Sequence, residues 1–567
     1  MRFLALLAAA TLASAATSPR NPKIDRTLWS LLESNQPVDA MIKLKEQSQP
    51  VVETSDVKDP AERIRNKLVA ATSKSAAMVK SLLTPRSRRL DATQCPGSAT
   101  SSYLWIAGRM HIKGLTLCMA QEIAASESVL RLRKEEVEEI DTSAIAQASP
   151  VDTLPELWAA NMIRAPAVWS SGNTGQDIVI GSIDTGVRAT HSLYVSKLRP
   201  DYNWFDRINN TATPTDDSGH GSHVMGILVG DLGVGIAPGA QWISCRGCGA
   251  TCDESVLLSC MQFMLCPTDA QGNNADCSKK PHVINNSWGS SVTKTAYLSA
   301  FQAWEDAGIL AVTSAGNAGP LCSSFGSPAD YPTALAVGMM TQDFLLNSRT
   351  SRGPPKNDSN VIKPDISAPG WAIYSASNAG DKLYASLSGT SQAAPHVAGT
   401  AALMLAANPS LTPAQIRTAL KTHVETAWII LGVGGQNCGG VDDLTFPNNN
   451  FGAGLVNASF AVESVATSSP LPAPTTSSPT PATTQGPTDA PTTQVPVPTA
   501  TTGSPSTAPV STTKAPTTTS TTRVPTSTAT TTKTPTTTAT TQKPTTTIKP
   551  PTTTTTTKTP TSTANCR

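Results

Sequence analysis

Four short stretches of this 567-residue chain carry residue types that together could perform acyl transfer. In Gly389-Thr390-Ser391-Gln392-Ala393-Ala394-Pro395-His396-Val397-Ala398-Gly399, a hydroxyl stands at the mouth of a helix of small apolar residues. A helix N-terminus presents unpaired backbone N–H groups and a partial positive charge, so an oxyanion forming beside the attacking oxygen is favoured there. Pro395 is expected in the first turn, where a missing N–H costs little. The structural alternative is a buried small-residue helix after a loop. A lone serine does not decide between them, because it is a weak nucleophile until a base lies within hydrogen-bond reach.

The other three stretches supply partners. Ile178-Val179-Ile180-Gly181-Ser182-Ile183 is a continuous apolar run of the kind a parallel strand buried on both faces needs, and it ends at Asp184-Thr185-Gly186. Asp184 is therefore expected at the carboxyl end of a strand, the edge where open α/β sheets build their sites. In Asp216-Asp217-Ser218-Gly219-His220-Gly221-Ser222-His223, glycines flank a histidine that opens an apolar helix. Alone, such a histidine reads as a turn or packing residue as readily as a base. Ile309-Leu310-Ala311-Val312-Thr313-Ser314-Ala315-Gly316-Asn317 is again an apolar strand running into glycine, with an amide at its end that can donate to an oxyanion.

In this order and these contexts Asp184, His220, Asn317 and Ser391 resemble the subtilisin-like serine proteases, the subtilase family, over roughly residues 154–465. Tyr202-Asn203-Trp204-Phe205-Asp206, Gly235-Ile236-Ala237-Pro238, Pro267-Thr268-Asp269-Ala270 and Asn285-Asn286-Ser287-Trp288-Gly289 are similar to its bacillopeptidase F-like branch. The resemblance implies an α/β, subtilisin-like fold with a mostly parallel sheet flanked by helices. It also implies a serine endopeptidase acting on protein and peptide substrates through an acyl-enzyme. Ser391 would be the nucleophile, His220 the general base and acid, and Asp184 the group that orients the imidazole. Asn317 and the Ser391 N–H would hold the oxyanion, and activity would fall in acid near about pH 7 as the imidazole protonates.

The same resemblance makes Ser287-Trp288-Gly289 the strand that pairs with substrate and Ser314-Ala315-Gly316 the opposite wall, with Gly326 near the floor of the primary pocket. No acidic residue stands in those segments, which argues against selection of paired basic residues. The family's strong calcium loop usually follows the histidine helix. Here only Gly230-Asp231-Leu232-Gly233-Val234 separate that helix from Gly235-Ile236-Ala237-Pro238, and calcium wants six to eight oxygen ligands. That site is expected to be missing, no metal is expected to be required for the chemistry, and weaker structural calcium sites are left open.

The elements around these motifs divide into four regions. Residues 1–15 read as a signal peptide: Met1-Arg2, an apolar stretch from Phe3 to Ala13, then Ala13-Ser14-Ala15, which makes the protein secreted. Residues 16–147 alternate strand and helix signals: strands at Val38–Leu44, Tyr103–Ile112 and Val129–Arg133, helices at Pro60–Leu82 and Leu115–Ala124. This predicts a small α+β module, and its position resembles the family's inhibitory propeptide, a built-in partner that occupies the cleft until self-cleavage near Thr142 to Thr153. Pro85-Arg86-Ser87-Arg88-Arg89 reads as an exposed basic loop in preference to a processing site. Residues 148–466 form the catalytic domain. Tyr297, Ala300, Phe301 and Trp304 mark one helix face, and Thr412-Pro413 the start of another helix.

Residues 467–567 are Thr, Pro and Ser with scattered Lys, too poor in apolar side chains to repay ordering, and read as a disordered mucin-like stalk suited to cell-wall or matrix contact. No later segment offers the roughly twenty apolar residues of a membrane span. A net charge of +2 and a pI of 8.0 give no case for nucleic acid.

Eleven cysteines in an exported chain point to disulfides. Cys95 and Cys118 fall in the first module, and Cys566 is left over near the end. The eight of the catalytic region allow up to four bridges whose connectivity sequence does not fix. Cys245, Cys248 and Cys252 crowd as zinc ligands would, without a suitably spaced histidine. Asn209, Asn357 and Asn457 begin surface-compatible glycosylation sequons, whereas Asn285 is expected to be buried. A second function class stands beside the enzyme: a stalked extracellular binding protein whose protease-like domain does not cut.

Overall fold

The computed structural model describes residues 20–46, 57–84, 98–138, 140, 149–150, 158–430 and 436–466. The leader, the basic run at 85–89, Cys95, most of the stretch between Thr142 and Thr153, and the tail with Cys566 lie outside the described residues.

The first module is built on a four-stranded antiparallel sheet in the order Thr100–Leu104, Arg109–Leu115, Val38–Leu44, Val129–Lys134. Alternate residues Ala40, Ile42 and Leu44 of the central strand point into a core completed by Val79 of the helix Pro60–Leu83 and by Ile123 of the helix Leu117–Ala125. Asp59 caps the longer helix by accepting from Glu62 N at 3.0 Å, with Pro60 at the first position where its missing N–H is harmless. The strand expected over Tyr103–Ile112 is two strands. A single turn, Trp105–Ala107, closes on Gly108 at φ +56°, a left-handed conformation glycine adopts without strain, and reverses the chain.

Among the described residues the catalytic region is built on one nine-stranded sheet. Its strand order is Val424–Glu425, Leu455–Val456, Ile366–Pro369, Ala334–Met340, Leu310–Ser314, Val283–Asn286, Val179–Asp184, Gln241–Arg246 and Trp204–Asp206. All neighbours are parallel except the first pair. The central strands are buried throughout, as their unbroken apolar runs require. Helices His220–Val229 and Thr390–Ala407 pack on them; both are enclosed along nearly their whole length, which their small residues permit. On the helix Leu298–Asp306, Ala300, Phe301 and Trp304 face the core as their spacing predicts, and Tyr297 at its N-cap is buried with them. Thr412 and Gln415 form a capping box at Pro413–Thr422.

Two further expectations are corrected. Pro395 lies inside the helix and not in its first turn, since the helix begins at Thr390. The carbonyl its missing N–H leaves free is that of Ser391, which instead accepts from Ser287 Oγ at 2.9 Å, so the proline opens a bond between helix and neighbouring strand end. Asn457 is buried, and its side chain caps the helix Ala458–Glu463 by accepting from Phe460 N, so it is no surface sequon. Asn209 and Asn357 are exposed and Asn285 is buried.

The bridges are Cys245–Cys260, Cys248–Cys252, Cys266–Cys277 and Cys322–Cys438. The crowded cysteines are thus disulfides and not zinc ligands. Cys118 is disulfide-bonded as well.

The first module rests on the catalytic region through charge. Arg109 and Arg133 both donate to Glu254 Oε1, whose side chain is fully enclosed; the Arg133 bond is 2.6 Å. Glu135 Oε1 accepts from Ser255 N at 2.7 Å in the first turn of the helix Glu254–Leu265, where a carboxylate meets the helix dipole favourably. Val137–Glu138 then pairs antiparallel with Cys252–Asp253.

Candidate active site

Three adjacent parallel strands deliver the predicted residues to one edge. Asp184 is the last residue of its strand, Ser287 follows Val283–Asn286, and Asn317 follows Leu310–Ser314. His220 and Ser391 open or nearly open the two central helices at the same edge. The first helix can approach the strand end only as glycine: a Cβ on Gly221 would stand 2.1 Å from Gly186 O.

Asp184 is fully buried, and its Oδ1 accepts from His220 Nδ1 at 2.8 Å and from Thr185 N at 2.7 Å. A buried carboxylate is costly unless bonded, so these donors hold both the charge and the ring in place. Thr185 is a positioning residue that sequence reasoning missed. Its Oγ1 accepts from Gly221 N at 2.9 Å and donates to Asp216 Oδ1 at 2.9 Å, while Asp216 Oδ2 accepts from Ser222 N and Oγ. The signal was adjacency to Asp184 and the carboxylate four residues before His220.

Ser391 Oγ donates to Ser287 O at 3.2 Å, and Ser287 Oγ returns a bond to Ser391 O. Asn317 is oriented by Thr390, whose N and Oγ1 both donate to Asn317 Oδ1, at 3.0 and 3.1 Å. An amide whose oxygen is held this way presents its Nδ2 as a donor, and Nδ2 lies 3.4 Å from where a Cβ on Gly389 would stand, two residues before Ser391. Asn317→Ala is expected to lower kcat by on the order of a hundred- to a thousand-fold with little change in KM, because the amide would act on the charge that develops after binding. Steady-state kinetics showing an unchanged kcat would remove Asn317 from the oxyanion site.

A cavity of about 460 Å³ opens beside Ser391. Ser287, Trp288, Gly289, Ser314, Ala315, Gly316 and Gly326 line it, with Asn317. Its lining carries no carboxylate among the described residues. Trp288 is a wall held in place, 1% exposed and edge-on to Tyr297 at 5.4 Å between ring centres. Ile140, from the end of the first module, lines the same cavity.

His223 and His396 are packed residues. Burial holds His223 down to about 3, helped by the neighbouring His220, and His396 down to about 4. His223 Nε2 donates to Ile373 O and Ala385 O, and His396 Nδ1 to Gln392 O. The unfolded chain takes a proton on each near about pH 6.5, which the fold refuses until far lower. Falling pH therefore destabilises the fold from about 6.5 downward, by about 1.4 kcal/mol per pH unit for each histidine. Thermal melts of an inactive Ser391→Ala chain from pH 7 to 4.5 should show that decline, shallower in His396→Gln; equal slopes would contradict it.

In the stretch 230–234 the one carboxylate, Asp231, pairs with Lys197 Nζ at 2.6 Å. A second oxygen-lined recess, formed by Tyr331 O, Ala334 O and Asp365 Oδ2, is filled by the ammonium of Lys363. In the first module Asp39, His111 and Glu135 bring ligand atoms within 4.8 Å, but Asp39 already accepts from Gly114 N and Glu135 from Ser255 N.

A doubly wound parallel sheet that gathers a carboxylate, an imidazole, an amide and a helix-mouth serine at one edge defines a class of serine hydrolase. Residues 175–455 match the subtilase family. The chain is 36% identical over 337 residues to bacillopeptidase F of Bacillus subtilis (strain 168), covering 54% of this chain and 22% of that protein. It is 31% identical over 311 residues to subtilisin Savinase of Lederbergia lenta, covering 54% of this chain and 97% of that protein. It is 30% identical over 331 residues to M-protease of Shouchella clausii (strain KSM-K16), covering 57% and 72%. The chain belongs to the subtilase family, and its class is that of the subtilisin-like serine endopeptidases. Among the described residues no helix is long and apolar enough to cross a membrane.

Proposed function

We propose that this chain is a secreted endopeptidase, made as a self-cleaving zymogen, that hydrolyses protein substrates with Asp184, His220 and Ser391. The observation that carries the reading is the 2.8 Å bond from His220 to a fully buried Asp184, on the sheet edge where Ser391 stands at a helix mouth.

In the proposed reaction Ser391 Oγ forms a bond to the peptide carbonyl carbon while His220 Nε2 takes the hydroxyl proton, and Asp184 balances the imidazolium. The carbonyl oxygen, now anionic, rests on Asn317 Nδ2 and the Ser391 N–H. Collapse breaks the C–N bond, and the departing amine leaves with the proton from His220. Water then repeats the sequence on the acyl-enzyme: His220 takes its proton, the ester breaks, and Ser391 Oγ recovers the proton. No metal ion takes part.

Residues 16–147 act in this reading as the inhibitor of their own catalytic domain. Support comes from Val137–Glu138 pairing with Cys252–Asp253 and from Ile140 in the cavity beside Ser391. We assign the tail 467–567 to contact with a wall or matrix. The test is cleavage in trans. The Ser391→Ala chain should keep its first module when expressed alone and be cut near Thr142 to Thr153 when wild type is added. If both chains lose the module at the same rate unaided, self-cleavage is wrong, and if neither form digests casein, the binding-protein alternative takes its place.

A further inference from the structure

The strand that enters the cleft carries a buried charge. Glu138 has a fully enclosed side chain, yet its Oε2 accepts from Lys294 Nζ at 2.8 Å and its Oε1 from Tyr297 OH at 2.9 Å. Lys294 Nζ also donates to Val137 O at 3.0 Å, so it grips both the backbone and the side chain of this strand. Burial, the largest influence, raises the Glu138 pKa above the usual carboxylate value, against the pull of Lys294 and Tyr297.

The recess shares walls with the cleft. Tyr297 packs edge-on against Trp288, and Lys294 exchanges bonds with Ser327 through its N and O; Trp288 and Ser327 are both walls of the cavity beside Ser391. Glu138 precedes Ile140 by two residues, and Ile140 lines that cavity.

Among the described residues Lys294 has no acidic partner of its own domain. Among the described residues, the carboxylates within 4.0 Å of its Nζ are Glu136 and Glu138, both from the first module. Release of the module would leave an ammonium and a phenol facing an empty strand position, with desolvated walls that strengthen their pull on a new anion.

We infer that Lys294 and Tyr297 form a subsite that selects a glutamate side chain in substrates, two residues before the one that fills the cavity beside Ser391. The inference rests on the peptidase reading above. Glutamate is favoured over aspartate because the carboxylate is gripped at the reach of Glu138, one methylene farther out. The Lys294–Glu138 pair then serves twice: it seats the module in the uncleaved chain and reads substrate in the released enzyme.

The test uses the self-processed wild-type enzyme on a peptide series in which Glu, Gln, Asp and Leu are placed in turn at each of the six positions before a fixed scissile bond. At one position Glu is expected to exceed Gln by about tenfold or more in kcat/KM, as one charge-assisted hydrogen bond would give, with Asp lower than Glu. Lys294→Met should bring the Glu/Gln ratio to about one, and Lys294→Arg should keep a preference for Glu. Equal wild-type rates for Glu and Gln at every position would overturn the subsite, as would a preference that survives in Lys294→Met. Cleavage of none of the peptides would instead overturn the peptidase reading, and the subsite with it.

Discussion

Ser391→Ala is expected to lower turnover on protein substrates by on the order of a million-fold, a magnitude taken from subtilisin, a member of the same family, while leaving the fold intact. The size follows from how the group works as a unit. Without Oγ there is no acyl-enzyme, and His220 and Asp184 have no proton to move; what survives is the oxyanion site acting on water. The fold should survive because Ser391 contributes one hydroxyl bond, to Ser287 O, and the return bond from Ser287 Oγ goes to the Ser391 carbonyl, which alanine retains. Casein digestion and a thermal melt measured together check both halves. A melt shifted by more than a few degrees would mean that the loss of activity reports on folding instead.

The second large effect is expected for Asp184→Asn, on the order of ten-thousand-fold in kcat, again by the scale of other serine proteases. The amide oxygen can still accept from Thr185 N and His220 Nδ1, the two donors that now meet Oδ1, so the resting ring keeps its place. What disappears is the fully buried negative charge that would balance the imidazolium. The loss should therefore appear in kcat, with KM nearly unchanged. An Asp184→Asn enzyme within tenfold of wild type would show that this carboxylate does not support the base.

Much of this site was legible from sequence because each piece carries its own local signal. An unbroken apolar run ends at Asp184, glycines precede a helix at His220, and small residues follow Ser391. All seven residues assigned to the substrate cavity from the family resemblance, Ser287, Trp288, Gly289, Ser314, Ala315, Gly316 and Gly326, line one cavity. What was not legible depends on contacts between residues far apart in the chain. Lys294 and Glu138 are separated by 156 residues, and nothing in either neighbourhood announces the other. Among the disulfides Cys322–Cys438, 116 residues apart, is of the same kind. Local signals also misled where a single residue decides: Gly108 splits an apparent strand, and Pro395 sits a turn deeper than its neighbours suggest because the helix begins before Ser391. Asn457 satisfies a sequon by its letters, yet its amide is spent on a helix cap.

The central claim is that Ser391 is a nucleophile activated by His220, and covalent labelling tests it most directly. The self-processed enzyme would be treated with an organophosphonate that reacts with activated serines, and the modified residue located by mass spectrometry. The expected result is one adduct, on Ser391, lost in His220→Ala even though the serine remains. An adduct on another residue, or labelling of Ser391 that persists undiminished in His220→Ala, would contradict the account.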